Sequence, residues 1–281
     1  MANQTEKLKL PPGVKPLEEL TLMDDYMFGA VMRDKENLKP LLESILNIRI
    51  IDISFVEAQK TEKEGYYSHG IRMDLYVKDE DGRIFNVEVQ TTNNKNLPKR
   101  MRYYQSVIDV DILTPGEDYK DLKSSYVIFI CNYDPYKDNR YIYSFENRCI
   151  QDTELTFGDE ALKVIVNTKG TVGEVTEDLK EVLVYLDEGR TTGEYTKQLD
   201  DAVNLVKSSE ERRHEYMVMK IHEMEMRAES RAEGRAEGKG EQKVEDARAM
   251  YDDGLEPERI ARILKLDIAD VEVMLGLRKM A

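Results

Sequence analysis

From Ile71 to Val89 the apolar residues fall on every second position, first Ile71, Met73, Leu75 and Val77, then Phe85, Val87 and Val89, with one break at Glu80-Asp-Gly82. A period of two belongs to a β-strand, whose side chains alternate between faces. The break suits a three-residue hairpin loop with Gly82 in the left-handed region. That loop sets a register in which Asp79 faces Arg83, Val77 faces Phe85 and Asp74 faces Glu88. Arg72, Asp74 and Tyr76 then share one face with Asn86, Glu88 and Gln90, while the apolar residues turn the other face to the core.

The flanking text alternates between this period and the helical one. Thr21 with Asp24 three residues on reads as a helix start, followed by Tyr26, Met27, Ala30 and Val31 at helical spacing. A second helix is expected over Asn37 to Leu46, and Ile51, Ile53 and Phe55 mark another strand. Leu97, Met101, Tyr104 and Ile108 lie on one stripe of a helix opened near Pro98. Tyr126 to Ile130 is short, β-branched and apolar on both parities, as a strand covered on both faces is. Further strands are expected near Tyr141 to Phe145 and Leu162 to Val166, then a helix from Val175 to Leu186.

Beyond Asp200 the composition turns to Met, Glu, Arg and Ala, and Arg-Ala-Glu-Ser/Gly repeats every four residues from Arg227. Like charges four apart and Gly234, Gly238 and Gly240 weaken an isolated helix, so this stretch reads as a breakable helical stalk. Ala228, Ala232 and Ala236 fall roughly along one face, where two copies could approach. The expected organisation is a loose arm (1–16), a core (17–200), the stalk (201–243) and a small helical tail (244–281). The tail resembles a helix-turn-helix module, but Lys243 to Ala281 holds seven basic and nine acidic residues, a poor balance for phosphate contact.

Two acids facing each other on one ribbon repel unless something positive joins them. One solution is Arg72 as an exposed cross-strand bridge. The other is a divalent ion such as Mg²⁺, which favours one or two carboxylates plus phosphate oxygens. The neighbourhood favours the ion: Thr91 to Gln105 carries Lys95, Lys99, Arg100 and Arg102 and no acid, in a chain of net charge −15. Such a chain meets a polyanion only through a local basic patch or through metal ions. Acids on opposite sides of the ribbon, or in open solvent away from the basic helix, would remove this case.

Asp74, Glu88-Val-Gln90 after a short hairpin, then a basic helix with Tyr103-Tyr104-Gln105 and a buried strand, resemble the PD-(D/E)XK nuclease superfamily. The Asp24-Asp25-Tyr-Met-Phe28 box and the four-residue repeats narrow the resemblance to its recombination-promoting nuclease and transposase family. It implies an α/β, restriction-endonuclease-like core, a mixed sheet flanked by helices, with a long helical stalk and a small helical tail. It also implies an Mg²⁺-dependent (or Mn²⁺-dependent) DNA endonuclease linked to recombination or transposition. Asp74 and Glu88 would be the metal ligands and Gln90 would stand where the superfamily has Lys. An amide orients water or phosphate but cannot act as a general base, so slow or condition-dependent cleavage is expected. Asp25 would be a further acid for the site, the alternative being that Asp24 and Asp25 simply favour the helix N-terminus, and Lys99 or Arg100 would meet the phosphate. The rival is a non-catalytic oligomerising or DNA-associated module keeping a degenerate nuclease core.

Other signals carry less. His214 and His222 are eight apart, not the four that a metal on one helix face requires. His69, just before the Asp74 strand, could donate to a phosphate, and Tyr103 could stack on a base. No phosphate-cradling glycine loop occurs, and Cys131 and Cys149 are too few for a disulfide framework. With no apolar run near the length of a bilayer span, a soluble, cytoplasmic protein without membrane contact is expected.

Overall fold

The computed structural model describes residues 10–62, 71–113 and 115–278, so His69 lies outside the described residues. The alternating segments form an antiparallel meander of β1 (Ile53–Glu62), β2 (Ile71–Asp79) and β3 (Ile84–Gln90). Val77 lies opposite Phe85 and Leu75 opposite Val87, the register that the loop length dictates. At the turn Gly82 takes φ +81°, a left-handed conformation that glycine adopts without a steric cost. Its N–H donates to the Asp79 carbonyl at 3.1 Å, and the Arg83 guanidinium holds the Asp79 carboxylate at 2.6 Å.

α3 (Leu97–Ile112) has Pro98 in its first turn, where a missing N–H breaks no helical bond. It returns the chain for β4 (Ser125–Cys131), which runs parallel to β3. β6 (Ala161–Asn167) lies parallel to β4 on its far side, and β5 (Ile142–Phe145) completes the sheet antiparallel to β6, in the order β1-β2-β3-β4-β6-β5. Val127 to Cys131 are wholly buried, which explains why this strand is apolar on both parities. The result is a mixed six-stranded sheet flanked by helices, the restriction-endonuclease-like α/β architecture.

α3 seals one face, packing Leu97, Met101, Tyr104 and Ile108 on Tyr76, Ile84, Val127 and Phe129. α1 (Asp25–Met32) lies on the other. A Cβ added at Gly29 would stand 3.3 Å from the Ala58 Cβ and 3.5 Å from the Asp74 carbonyl oxygen. Behind α1, α2 (Lys35–Leu46), α4 (Glu177–Glu188) and α5 (Glu194–Ser208) complete the layer.

Three details depart from the sequence reading. α1 starts at Asp25 rather than just after Thr21, because the Asp24 carboxylate turns back to accept the Thr21 N–H (2.7 Å) and hydroxyl (3.1 Å) and closes a turn. α5 has no counterpart in that reading. The hairpin face bearing Tyr76, Asn86 and Glu88 is not left polar and open but buried beneath α3.

The chain divides into two compact units, Lys15–Tyr216 and Met1–Val14 with Met217–Ala281. α6 (Glu210–Asp252) is helical through the four-residue repeats, and its residues from Met217 on belong to the second unit. There α7 (Pro257–Leu264) and α8 (Ile268–Met274) close a small core of Ala247, Ile260, Ala261 and Val271. Lys265 ends α7 in the left-handed conformation, making the tight turn between the two. No helix among the described residues is long and apolar enough to cross a membrane.

The close seat of α1 on β2 gives a direct test. Gly29→Val should lower stability by on the order of 2 kcal/mol, since added methyls must displace Ala58 or the β2 backbone. Urea unfolding reads this out, and an unchanged midpoint would refute the seating.

Candidate active site

The β2–β3 ladder ends at Leu75 and Val87. One step further, Asp74 and Glu88 take over the bonding that the backbones no longer exchange. The Asp74 N–H donates to Glu88 Oε1 at 3.0 Å, and the Val89 N–H donates to Asp74 Oδ2 at 3.2 Å. Each acid thus satisfies an N–H of the facing strand, which fixes both carboxylates on adjacent strands at the carboxyl end of β3. Asp74 is 6% exposed and Glu88 1%.

α3 supplies the cation. Arg100 donates to Glu88 Oε2 at 3.0 Å, to Gln90 Oε1 at 2.6 Å and to the Tyr104 hydroxyl at 2.9 Å. Its guanidinium carbon sits 4.9 Å from the centre of the Phe129 ring and 5.1 Å from that of Tyr104, within cation–π range. Gln90 is held at both ends, because its Nε2 donates to the Thr92 carbonyl at 2.5 Å.

These contacts do not relieve the acids. Burial raises the Asp74 pKa to about 6, and the Asp25 charge adds to the effect against the opposing pull of the Val89 N–H, Arg72 and Arg100. Burial, with Asp74's charge behind it, drives Glu88 well above the usual carboxylate range although Arg100 opposes this. Burial first and then Glu88's charge raise the Tyr104 hydroxyl to about 12, so it stays protonated. A buried acid pair held this way favours any further positive charge.

Two carboxylates with acceptor capacity left are a hard-oxygen donor set suited to a divalent cation whose remaining ligands are water and phosphate. Among the described residues no group of three or more His, Cys, Asp and Glu side chains could hold a metal.

Of the residues singled out from sequence, Asp74, Glu88, Gln90 and Arg100 come together. Asp25 starts α1 and pairs with Arg72 at 2.6 Å. Lys99 is exposed on α3, turned about 100° around the helix from Arg100. Tyr103 is 37% exposed. Two residues were missed. Tyr104, read as core from its stripe, is core with a working hydroxyl, and its place four residues after Arg100 on one helix was the available signal. Asn86 is 0% exposed, and neither polar atom of its side chain has a hydrogen-bond partner in the described residues, though its amide lies near enough to ease ionisation of Glu88. Its place two residues before Glu88 on one strand face gave its position but not its burial.

This sheet, with a buried acid pair at the end of a hairpin and a basic helix packed over it, defines a nuclease-type core. The chain belongs to the PD-(D/E)XK nuclease family transposases, whose model matches residues 23–250. No curated protein and no solved structure matches it.

The raised Asp74 pKa carries a stability sign. Between about pH 4, where an unfolded carboxyl ionises, and about pH 6, the folded chain keeps a proton that the unfolded chain has lost. Stability therefore falls across that window, and the deficit persists above it. Without divalent ions, Asp74→Asn should be more stable than the parent at pH 8 by on the order of 1–2 kcal/mol, a gap closing toward pH 4. Urea unfolding at both pH values checks this, and equal stability at pH 8 would contradict the buried-charge assignment.

Proposed function

We propose that this chain is an Mg²⁺-dependent DNA endonuclease, with Mn²⁺ able to substitute, and that its cleavage serves recombination or transposition. One observation supports the reading above all: two nearly fully buried carboxylates stand side by side on adjacent strands, still short of positive charge, beneath an arginine-bearing helix. Asp74 and Glu88 are the residues to hold the ion, which when bound polarises a phosphoryl oxygen and acidifies a water.

The chain's own groups do the rest. Gln90, fixed by Arg100 and the Thr92 carbonyl, orients the attacking water or the scissile phosphate; it takes up no proton, so it cannot replace a lysine as base. Arg100 is the cation to meet the phosphate, and its planar fork suits two oxygens at once. It does so by giving up part of its grip on Glu88. Lys99, exposed beside it, offers a second contact to the DNA backbone. Asp25 adds negative charge behind Asp74 and, by holding Arg72, keeps that guanidinium near the acids.

A second reading has its own support. Arg100 already pairs with Glu88 at 3.0 Å, as the cation of a retired site would, so the chain would be a non-catalytic DNA-associated or oligomerising module, with the α6 repeats as the place of self-association. Nicking of supercoiled plasmid in Mg²⁺ or Mn²⁺ separates the two. The nuclease reading expects cleavage that Asp74→Ala and Glu88→Gln each reduce at least about 100-fold, the scale of losing one group that stabilises transition-state charge. No cleavage by the parent with either ion supports the second reading, and equal cleavage by parent and both variants places the chemistry elsewhere.

A further inference from the structure

Beside the acid pair the structure has a second concavity. A cavity of about 420 Å³ opens where the parallel strands β3 and β4 end, with Thr91 and Asn132 in its lining. The carboxyl ends of parallel strands are where open α/β sheets receive ligands. The cavity adjoins the site directly. Thr91 follows Gln90 in the chain, the Asn132 N–H donates to the Gln90 carbonyl at 3.4 Å, and the lining residue Asp24 precedes Asp25.

Its chemistry is unlike that of the Arg100 side. Met23 and Leu186, both largely buried, give it apolar walls. The Thr91 hydroxyl and the Asn132 amide have no hydrogen-bond partner among the described residues. Its charged lining is acidic, Asp24, Asp187 and Glu188, and the one lining cation, Lys15, is already paired with Asp24 at 2.9 Å. Asp187 and Glu188 have partners outside the cavity, Lys169 at 3.7 Å and Arg190 at 3.0 Å, which leave each carboxylate spare acceptor positions. The cations beside it, Lys15, Lys169 and Arg190, are already taken up by these acids, so a phosphate gains little there. The lining suits an uncharged occupant with apolar faces, N–H groups at its edge for the carboxylates and a mixed donor and acceptor edge for Asn132. A nucleobase out of its stack has those properties.

We propose that this cavity holds one unpaired nucleobase of the DNA strand next to the phosphate at Arg100, and that it takes guanine, whose edge carries three N–H bonds, before thymine, whose edge carries one. The proposal rests on the nuclease reading for the position of the strand. It gives that site a substrate class, DNA with an extrahelical or unpaired nucleotide, and separates base recognition on the acidic side from phosphate recognition on the basic side.

Binding tests it without cleavage. The full chain, free of divalent ions, is titrated by fluorescence anisotropy against four labelled duplexes: fully paired, and with a single extrahelical guanine, thymine or abasic site. The expected result is about tenfold tighter binding of extrahelical guanine than of the abasic or paired duplex, the scale of one well-made base contact. Thymine should fall between guanine and the abasic site. Asn132→Leu and Thr91→Val should each cut the guanine-to-abasic ratio to below about threefold. Equal affinity for the guanine and abasic duplexes, or a ratio that survives both substitutions, overturns the cavity assignment. Equal affinity for guanine and thymine overturns the role given to the carboxylates. A guanine preference in a protein that cuts no plasmid sinks the nuclease reading and leaves the cavity standing, whereas cleavage without the preference does the reverse.

Discussion

The structure turns on a rung of the β2–β3 ladder made by side chains rather than backbone. Asp74 and Glu88 each accept the N–H that the facing strand would otherwise spend on a carbonyl. This ties the position of both acids to the sheet itself: if Glu88 leaves, the buried Asp74 N–H goes unpaired at a cost of about 1–3 kcal/mol, and if Asp74 leaves, the part-buried Val89 N–H does. The acids are therefore precise in position and uncomfortable in charge. Removing a carboxylate from water is expensive, and here two are removed together, with Arg100 bonded to Glu88.

Arg100 is bound to that discomfort. Packed over Phe129 and Tyr104 and bonded to Glu88 and Gln90, it is the most constrained cation on α3. Its neighbours Lys99 and Arg102 are exposed. The helix thus divides its cations between one that stabilises the buried pair and others left for long-range attraction. That division matters in a chain of net charge −15, where the average surface repels DNA.

Much of this was legible in the sequence because one loop carries so much information. Glu80-Asp-Gly82 fixes the turn, the turn fixes the register, and alternation then places Asp74 beside Glu88 with no appeal to the rest of the fold. Tyr126 to Ile130 announced a doubly covered strand by its composition alone. What could not be read was burial. The alternation of polar residues at 72, 74, 76, 86, 88 and 90 is what a solvent-facing strand shows, and only the packing of α3 across that face turns Asn86 and Glu88 into interior residues. The start of α1 was misplaced for a similar reason: Thr21 and Asp24 fit a cap and a closed turn equally well until their partners are known. α5, whose apolar stripe of Leu199, Val203 and Val206 straddles the change in composition near Asp200, was hidden by that change.

β3, β4 and β6 start level with one another, at Ile84, Ser125 and Ala161, and finish level at Gln90, Cys131 and Asn167. Asp74, Glu88, Gln90 and the Arg100 contact to them lie at the finishing end. The starting end carries the Gly82 turn and the approach to β4. The Gly82 turn at the starting end therefore acts on the acids only through register: a residue inserted there would slide β3 past β2 and move Glu88 away from Asp74.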